Sequence, residues 1–471
     1  MSYTRKIAHN TIIQIAGKAI STVIGMVVIG MLTRYLGESG FGQYYTIMIF
    51  LQLFGVLVDL GLYIILVKRI SEPGVDESRL TSNIFTLRLI SAVLFLGLAP
   101  VIVLFFPYAA IVKVGVLITS FSFLAITLNQ ALSGVFQKHL RMDRVVISEL
   151  VGRVVLIGFT WYAISANLGL LAVMAAVVAG SIANFLLTFI FVRQLVKIKL
   201  AFDWRLWREI IYQAWPIALS IAFNLIYLRG DAIILSLYHH ETAVGIYGAP
   251  NKVLEVLVTF PAMFAGLVLP LLTAAWALAD REKFKRILNK SFDAMIILAV
   301  PLMVGTWFVA KPIMNLLAPN FHQADALLRI LIIATSIIFV GNLFGNTVVA
   351  LNRQKSMMWL YLLVAIFSLI GYFVFIPRYS YFGAAWVRTA SELAITIAAS
   401  WLVLRITRVR LDLKVFLKVI LASGLMALAM YWLRSINFIL LILVGCAVYL
   451  LALLAFRVVN RETLREITRI N

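Results

Sequence analysis

A small set of ionisable side chains stands deep inside long apolar stretches: Lys18, Asp59, Arg88, Glu149, Arg153, Arg229, Asp231, Lys252, Glu255, Arg388 and Glu392. Insertion scales put a charge at the centre of a membrane helix at about 2.5–3.5 kcal/mol of cost, so each of these needs a partner or a role. Asp293, Arg329 and Lys418 lie close enough to the end of a stretch to reach water along their stems. A desolvated Lys or Arg gains strongly from a phosphate or uronate that enters beside it, and a carboxylate there serves as counter-charge or carries a coupling ion. Catalysis has much less to draw on. The one cysteine, Cys446, sits in an apolar run and reads as a small core hydrophobe, no metal-ligand spacing occurs, and His239, His240 and Glu241 stand alone at a turn.

Spacing sorts the embedded charges. Glu149 with Arg153, and Arg388 with Glu392, are i, i+4 pairs that can neutralise each other on one helix. Lys18, Arg88 and Asp59 have no opposite charge one turn away and must find one across helices or on a ligand. Counting from a hairpin tip near Glu241 and Thr242, Asp231 and Lys252 are level, each about 16 Å down at 1.5 Å per residue. Arg229 and Glu255 are level two or three residues deeper, so the hairpin can carry two stacked cross-helix pairs, and Lys252 also shares a face with Glu255 at i, i+3.

The elements that hold these charges are apolar runs, each long enough to cross about 30 Å of hydrocarbon as a helix. Fourteen are expected, from residues 11–36 to residues 437–456. The 471 residues are 63% hydrophobic and 13% charged, with a mean hydropathy of +1.01, which excludes a water-soluble fold. The first run is too long for a secretory leader, so it is expected to stay as the first span.

The net charge of +21 does not point to nucleic acid, because the basic residues are dispersed between the runs. Alternate connections hold 28 of the 41 Lys and Arg, including Lys68, Arg69, Arg79, Arg141, Arg144, Arg205, Arg286, Arg408, Arg461, Arg465 and Arg469. The opposite connections hold Arg34, Lys113, Lys311, Arg378 and Arg434. The positive-inside rule then places both termini in the cytoplasm. The outer connections are short and leave no room for a large catalytic domain, so no enzyme is expected.

The chain repeats itself. Residues 31–44 read MLTRYLGESGFGQY and residues 234–247 read ILSLYHHETAVGIY, with Leu32/Leu235, Tyr35/Tyr238, Glu38/Glu241, Gly42/Gly245 and Tyr44/Tyr247 identical. A second echo aligns Leu140-Arg141-Met142 with Asn352-Arg353-Gln354, and Gly169 with Gly383. Six spans separate the copies, so each half starts on the same side, a parallel repeat. The expected fold is therefore an all-α polytopic membrane protein with two six-helix lobes, residues 1–200 and 201–408, around a central cleft. Residues 409–471 add two more spans and a basic tail. Rocking such lobes exposes the cleft to either side in turn. The positions matching Arg229, Asp231, Lys252 and Glu255 in the first half are Met26, Val28, Ile49 and Gln52, so those charges belong to one half only.

Three features carry a resemblance: a Lys-bearing first helix, Arg34-Tyr35-Leu36-Gly37 running into Gly40-Phe41-Gly42-Gln43-Tyr44, and Asp231 followed by Val244-Gly245-Ile246-Tyr247. The chain resembles the polysaccharide flippases of the multidrug, oligosaccharidyl-lipid and polysaccharide exporter superfamily. That resemblance implies an inner-membrane flippase for a polyprenyl-diphosphate-linked oligosaccharide, an O-antigen, capsule or exopolysaccharide repeat unit. Membrane lipid and a glycan polymerase are its implied partners. It assigns Lys18, Arg88, Arg229 and Lys252 to the anionic head group, and Asp59, Asp231 and Glu255 to counter-charge or ion coupling. No phosphate-binding loop of the G-x-x-x-x-G-K-[ST] type occurs, so no nucleotide cofactor is implied and energy comes from an ion gradient or from consumption of the product. Two other readings stay open. An ion-coupled antiporter of organic cations would need carboxylates and aromatics lining its cleft, and a membrane glycosyltransferase or polymerase would need a catalytic outer loop.

Overall fold

A computed structural model describes residues 3–59, 61–70 and 74–458. Arg461, Arg465 and Arg469 of the basic tail lie outside them. Hydrocarbon offers no hydrogen bonds to the backbone, so an apolar run of this length has to satisfy its own N–H and C=O groups as a helix. The described residues accordingly form α1 (Tyr3–Asp59), α2 (Leu62–Ile70), α3 (Glu77–Ile102), α4 (Ala110–Lys138), α5 (Met142–Ser165), α6 (Gly169–Val192) and α7 (Trp204–Tyr238). They continue with α8 (Glu241–Ala277), α9 (Arg281–Leu317), α10 (Ala324–Ala350), α11 (Gln354–Thr407), α12 (Lys414–Trp432) and α13 (Phe438–Ala455).

Twelve of the described helices are long and apolar enough to cross a membrane. Two of the twelve are double crossings. The helical path of α1 turns at Gly37 (φ 64°) and that of α11 at Ser380 (φ 51°), each at the polar corner between two apolar runs. With both counted twice, the expected fourteen spans are present. One expected span is not continuous: the run 41–66 breaks between Asp59, where α1 stops, and Leu62, where α2 starts. Cys446 is exposed on α13 rather than packed in a core.

The helices form two compact units, residues 1–248 and 249–471. In the first, α4 packs against α1, α3 and α6, and α5 against α6 and α1. In the second, α10 packs against α9 and α11, and α12 against α9 and α13. The repeat boundary at 200 falls elsewhere than this division, because α7 packs on α1, α2 and α3 of the first unit.

The repeat is written in the backbone. The turn before α5 has Leu140 at φ 51° and the turn before α11 has Asn352 at φ 55°. Arg141 N–H then donates to the Phe136 carbonyl at 2.9 Å, and Arg353 N–H to the Val348 carbonyl at 3.0 Å. The most enclosed spans of the two units, α4 and α10, have 56% and 61% of their apolar window buried and are six crossings apart, as a six-span repeat requires.

Candidate functional site

The deepest charge pair lies at the broken span. Gly61 adopts φ 75°, a conformation that side chains with a Cβ avoid, and this lets the chain leave α1 and re-enter a helix at α2. Arg88 lies on α3 eleven residues past Glu77, about 16 Å along the helix. Its guanidinium Nη2 is 2.6 Å from Asp59 Oδ1, with the Arg88 side chain 0% and that of Asp59 25% exposed. The same nitrogen donates to Gln130 Oε1 on α4 at 2.9 Å. Arg88 Nε and Nη1 are buried without an acceptor among the described residues. Ser91, one turn along α3, donates to the Arg88 carbonyl at 3.1 Å and to the Val58 carbonyl beside the break at 3.4 Å. Tyr63 on α2 donates to Gln137 Oε1 at 2.9 Å. Breaking a membrane helix exposes backbone polar groups that hydrocarbon would penalise, so such a break marks a place where protein or ligand supplies partners.

The other embedded charges find partners mostly off their own turn. Lys18 Nζ lies 4.0 Å from Glu149 Oε1 across α1 and α5, so Glu149 faces Lys18 rather than Arg153 of its own helix. The Arg153 guanidinium instead lies along α1, where a Cβ on Gly25 would be 3.8 Å from Nη1. Asp231 is 1% exposed and accepts a 2.5 Å hydrogen bond from Tyr247 Oη. Lys252 and Glu255 form the i, i+3 pair at 2.9 Å. Arg388 donates to Asn251 Oδ1 at 2.5 Å, and Arg229 is half-buried on α7.

Gln130 and Asn251, and Tyr247 as the partner of Asp231, were not foreseen from the sequence, which was searched for opposite charges. For Tyr247 a signal existed, its identity with Tyr44 in the repeat.

At the weakly charged end of the first unit, the two repeat corners meet. A Cβ on Gly42 would lie 1.8 Å from the Glu241 carbonyl oxygen, and a Cβ on Gly245 would lie 1.9 Å from the Glu38 carbonyl oxygen. Beside this contact a cavity of about 220 Å³ is lined by Thr46, Tyr108, Ser236, His239, His240 and Glu241, with the Tyr108 and Ser236 hydroxyls 2.7 Å apart.

At the basic end, residues 197–203 run as a strap along α3. Ser82 Oγ donates to the Lys197 carbonyl at 3.4 Å and accepts from Lys199 N–H at 3.1 Å. Thr86 Oγ1 accepts from Ala201 N–H at 3.0 Å. Asn83 Oδ1 accepts both Asp203 N–H at 2.9 Å and Trp207 Nε1 at 3.0 Å. Asp203 caps α7 through Leu206 N–H at 3.1 Å and pairs with Arg79 at 2.5 Å. The Arg79 guanidinium holds its carboxyl below the ordinary 3.8, helped by the cap bond. Arg69 on α2 pairs with Glu209 and reaches Gln213 at 3.2 Å, so α7 is tied to α2 and α3 together.

With this geometry in hand, the chain can be set beside known proteins. Residues 7–276 match the family described as polysaccharide biosynthesis protein, and residues 216–374 match the family described as MatE. A candidate O-antigen transporter of Shigella flexneri is 22% identical over 418 residues, 86% of this chain and 99% of that protein. The capsular polysaccharide biosynthesis protein CapF of Staphylococcus aureus is 23% identical over 192 residues, 41% of this chain and 48% of that protein. Among solved structures, the lipid II flippase MurJ in an inward closed conformation superposes with a TM-score of 0.78 at 17% identity, covering 95% of this chain and 99% of MurJ. An inward-facing multidrug transporter of the MATE family gives 0.66 at 12% identity, covering 84% of this chain and 99% of that one. These structures share the fold, a transporter fold of many helices.

Proposed function

The chain belongs to the polysaccharide biosynthesis protein family, a multi-pass membrane transporter rather than an enzyme, and on that premise we propose that it flips a polyprenyl-diphosphate-linked oligosaccharide across the inner membrane. The oligosaccharide is a repeat unit of a surface polymer such as an O-antigen, capsule or exopolysaccharide. It enters from the cytoplasmic leaflet, both termini lie in the cytoplasm, and alternating access carries the head group while the lipid tail stays in the bilayer. The 28 to 5 division of basic residues supports this orientation.

The observation that carries the anionic cargo is Arg88. It is a fully enclosed cation, deep in the membrane, and two of its nitrogens have no acceptor among the described residues. A guanidinium in low dielectric that keeps donors in reserve suits a diphosphate. Lys18, half exposed on α1, and Lys252 with Arg229 extend the same preference. Asp59 faces Arg88 and Glu255 faces Lys252, and together with Asp231 they form the candidate set for counter-charge or ion coupling.

The MatE match makes an antiporter of organic cations the rival reading. Lys18 and Arg88, positive where such a cargo would need carboxylates, favour the flippase. Deleting the gene should trap lipid-linked oligosaccharide on the cytoplasmic leaflet and abolish the surface polymer. Normal polymer together with lost tolerance to cationic dyes would overturn the reading in favour of the antiporter.

A further inference from the structure

Because Glu149 faces Lys18 across α1 and α5, Arg153 is left without the carboxylate that lies one turn away on its own helix. Arg153 stands eleven residues past Met142, about 16 Å along the span, and is half-buried. No hydrogen bond or ion pair reaches its guanidinium among the described residues. The helices packed on α5 bring no further counter-charge: α6 carries no charged residue, and the charges of α4, Lys113 and Lys138, are cations near its ends. Counted with Lys18 and Glu149, the seam between α1 and α5 holds one positive charge in excess.

The shape of the seam gives that charge room. A Cβ on Gly17 would meet Val146 at 2.3 Å, so α1 and α5 touch there, whereas a Cβ on Gly25 would meet only Arg153 Nη1, at 3.8 Å. Between the two glycines, Lys18 and Ser21 follow at helical spacing on the same face of α1. Ser21 is 1% exposed, and its hydroxyl is buried without a partner among the described residues. Lys18 and Glu149 keep 50% and 29% of their side chains exposed. Charges at this depth avoid hydrocarbon, so the open side of the seam faces water or a polar ligand.

A guanidinium, a hydroxyl and a carboxylate beside one another, with a single positive charge to spare, fit a sugar ring that carries one acidic group. We propose that the seam is a subsite for an acidic sugar of the cargo, of the hexuronate class, with the sugar carboxylate on Arg153 and its ring hydroxyls on Glu149 and Ser21. The proposal rests on the flippase reading above. A guanidinium takes a carboxylate through two parallel hydrogen bonds. An ionised carboxylate accepts from sugar hydroxyls, and a serine hydroxyl both donates and accepts. The one excess charge balances one carboxylate, whereas a diphosphate would bring more negative charge than the seam can neutralise.

The test uses the full chain in lipid nanodiscs with its single cysteine removed by Cys446→Ser, so that Gly25→Cys adds one thiol beside Arg153. Relative to free cysteine, that thiol should prefer the anionic sulfonatoethyl methanethiosulfonate over the cationic trimethylammonioethyl reagent by about tenfold. Arg153→Gln should abolish the preference and Arg153→Lys should keep it. Excess methyl glucuronide should slow the reaction, while methyl glucoside, the same ring without the charge, and inorganic pyrophosphate should not. If the cysteine variant is lost from the membrane, the wild type decides: it should bind radiolabelled methyl glucuronide, displaced by unlabelled glucuronide and not by methyl glucoside or pyrophosphate. An inert thiol, a preference that survives Arg153→Gln, or equal competition by methyl glucoside or pyrophosphate would overturn the subsite alone, since none of these readouts requires flipping. A wild type that flips no lipid-linked sugar would overturn the flippase reading, and with it the assignment of the subsite to a transported head group.

Discussion

Gly42 and Gly245, the same position in the two repeats, press together backbone to backbone. A Cβ on either would lie 2.9–3.0 Å from the other's amide nitrogen and under 2 Å from a carbonyl oxygen of the opposite corner. The contact is reciprocal, Gly42 on Glu241 and Gly245 on Glu38, as a two-fold relation between the corners demands. Small residues are what allow membrane helices to approach this closely.

The first prediction follows from the atoms met there, which are backbone and do not swing aside. Gly42→Ala or Gly245→Ala should hold the corners apart. Both break one contact, so the double variant should be about as defective as either single one, a coupling that additive defects would contradict. Spin-label distances between residues 36 and 243 should lengthen in each variant, with surface polymer reduced at normal membrane abundance.

Arg88 and Asp59 are unequally enclosed, and that sets the direction of the second prediction. Asp59→Asn strands a cation of 0% exposure and should cost about 3–5 kcal/mol of stability. Arg88→Met leaves a carboxylate that is 25% exposed rather than enclosed, so it should cost less. The double variant should recover abundance in a double-mutant cycle scored by membrane yield, but it should not recover transport. Recovery of both would reduce the pair to a structural rivet.

Asn83 gives the third. Its carbonyl oxygen accepts the strap's Asp203 N–H and the indole N–H of Trp207, and Trp207 is buried at 9% exposure. Asn83→Ala leaves both donors unmatched and should lower stability by about 1–3 kcal/mol, with Asn83→Asp milder because it keeps an acceptor. Melting of the detergent-solubilised protein, followed by intrinsic fluorescence, would measure the difference.

The fourth concerns pH. Asp203 titrates below its ordinary 3.8 because Arg79 holds it, so the ion pair stabilises the fold above that value and is lost as pH falls through the lowered one. Asn is also a good helix N-cap, so Asp203→Asn keeps the cap of α7 and removes only the pair. The difference in melting temperature between wild type and Asp203→Asn should be constant from neutral pH down to about 4 and shrink below it. A difference that instead grew on acidification would contradict the assignment.

How far the sequence revealed this molecule depended on the physical signal involved. Spans and corners were legible because hydrocarbon admits few alternatives to a helix, and because Gly42/Gly245 and Tyr44/Tyr247 repeat in register. The break at Gly61 was not, since one glycine in an apolar run reads equally as a tolerated helical residue. Lys18 and Arg88 were recognised as needing partners across helices, but nothing local named Glu149 and Asp59. Neutral partners were harder still: Gln130, Asn251 and the row Ser82, Asn83, Thr86 carry no charge, and their roles emerge only where a second helix or the strap arrives.

Transport itself is the most direct test. Full-length protein in sealed vesicles, loaded with a fluorescent polyprenyl-diphosphate oligosaccharide in one leaflet, can be followed by the loss of protection from an added sugar-specific enzyme. The account predicts exposure of the labelled head group by the wild type, none by the Arg88→Met, Asp59→Asn double variant at equal protein content, and no gradient-driven export of organic cations by either. Persistent protection of the oligosaccharide by the wild type, with cation export in its place, would contradict it.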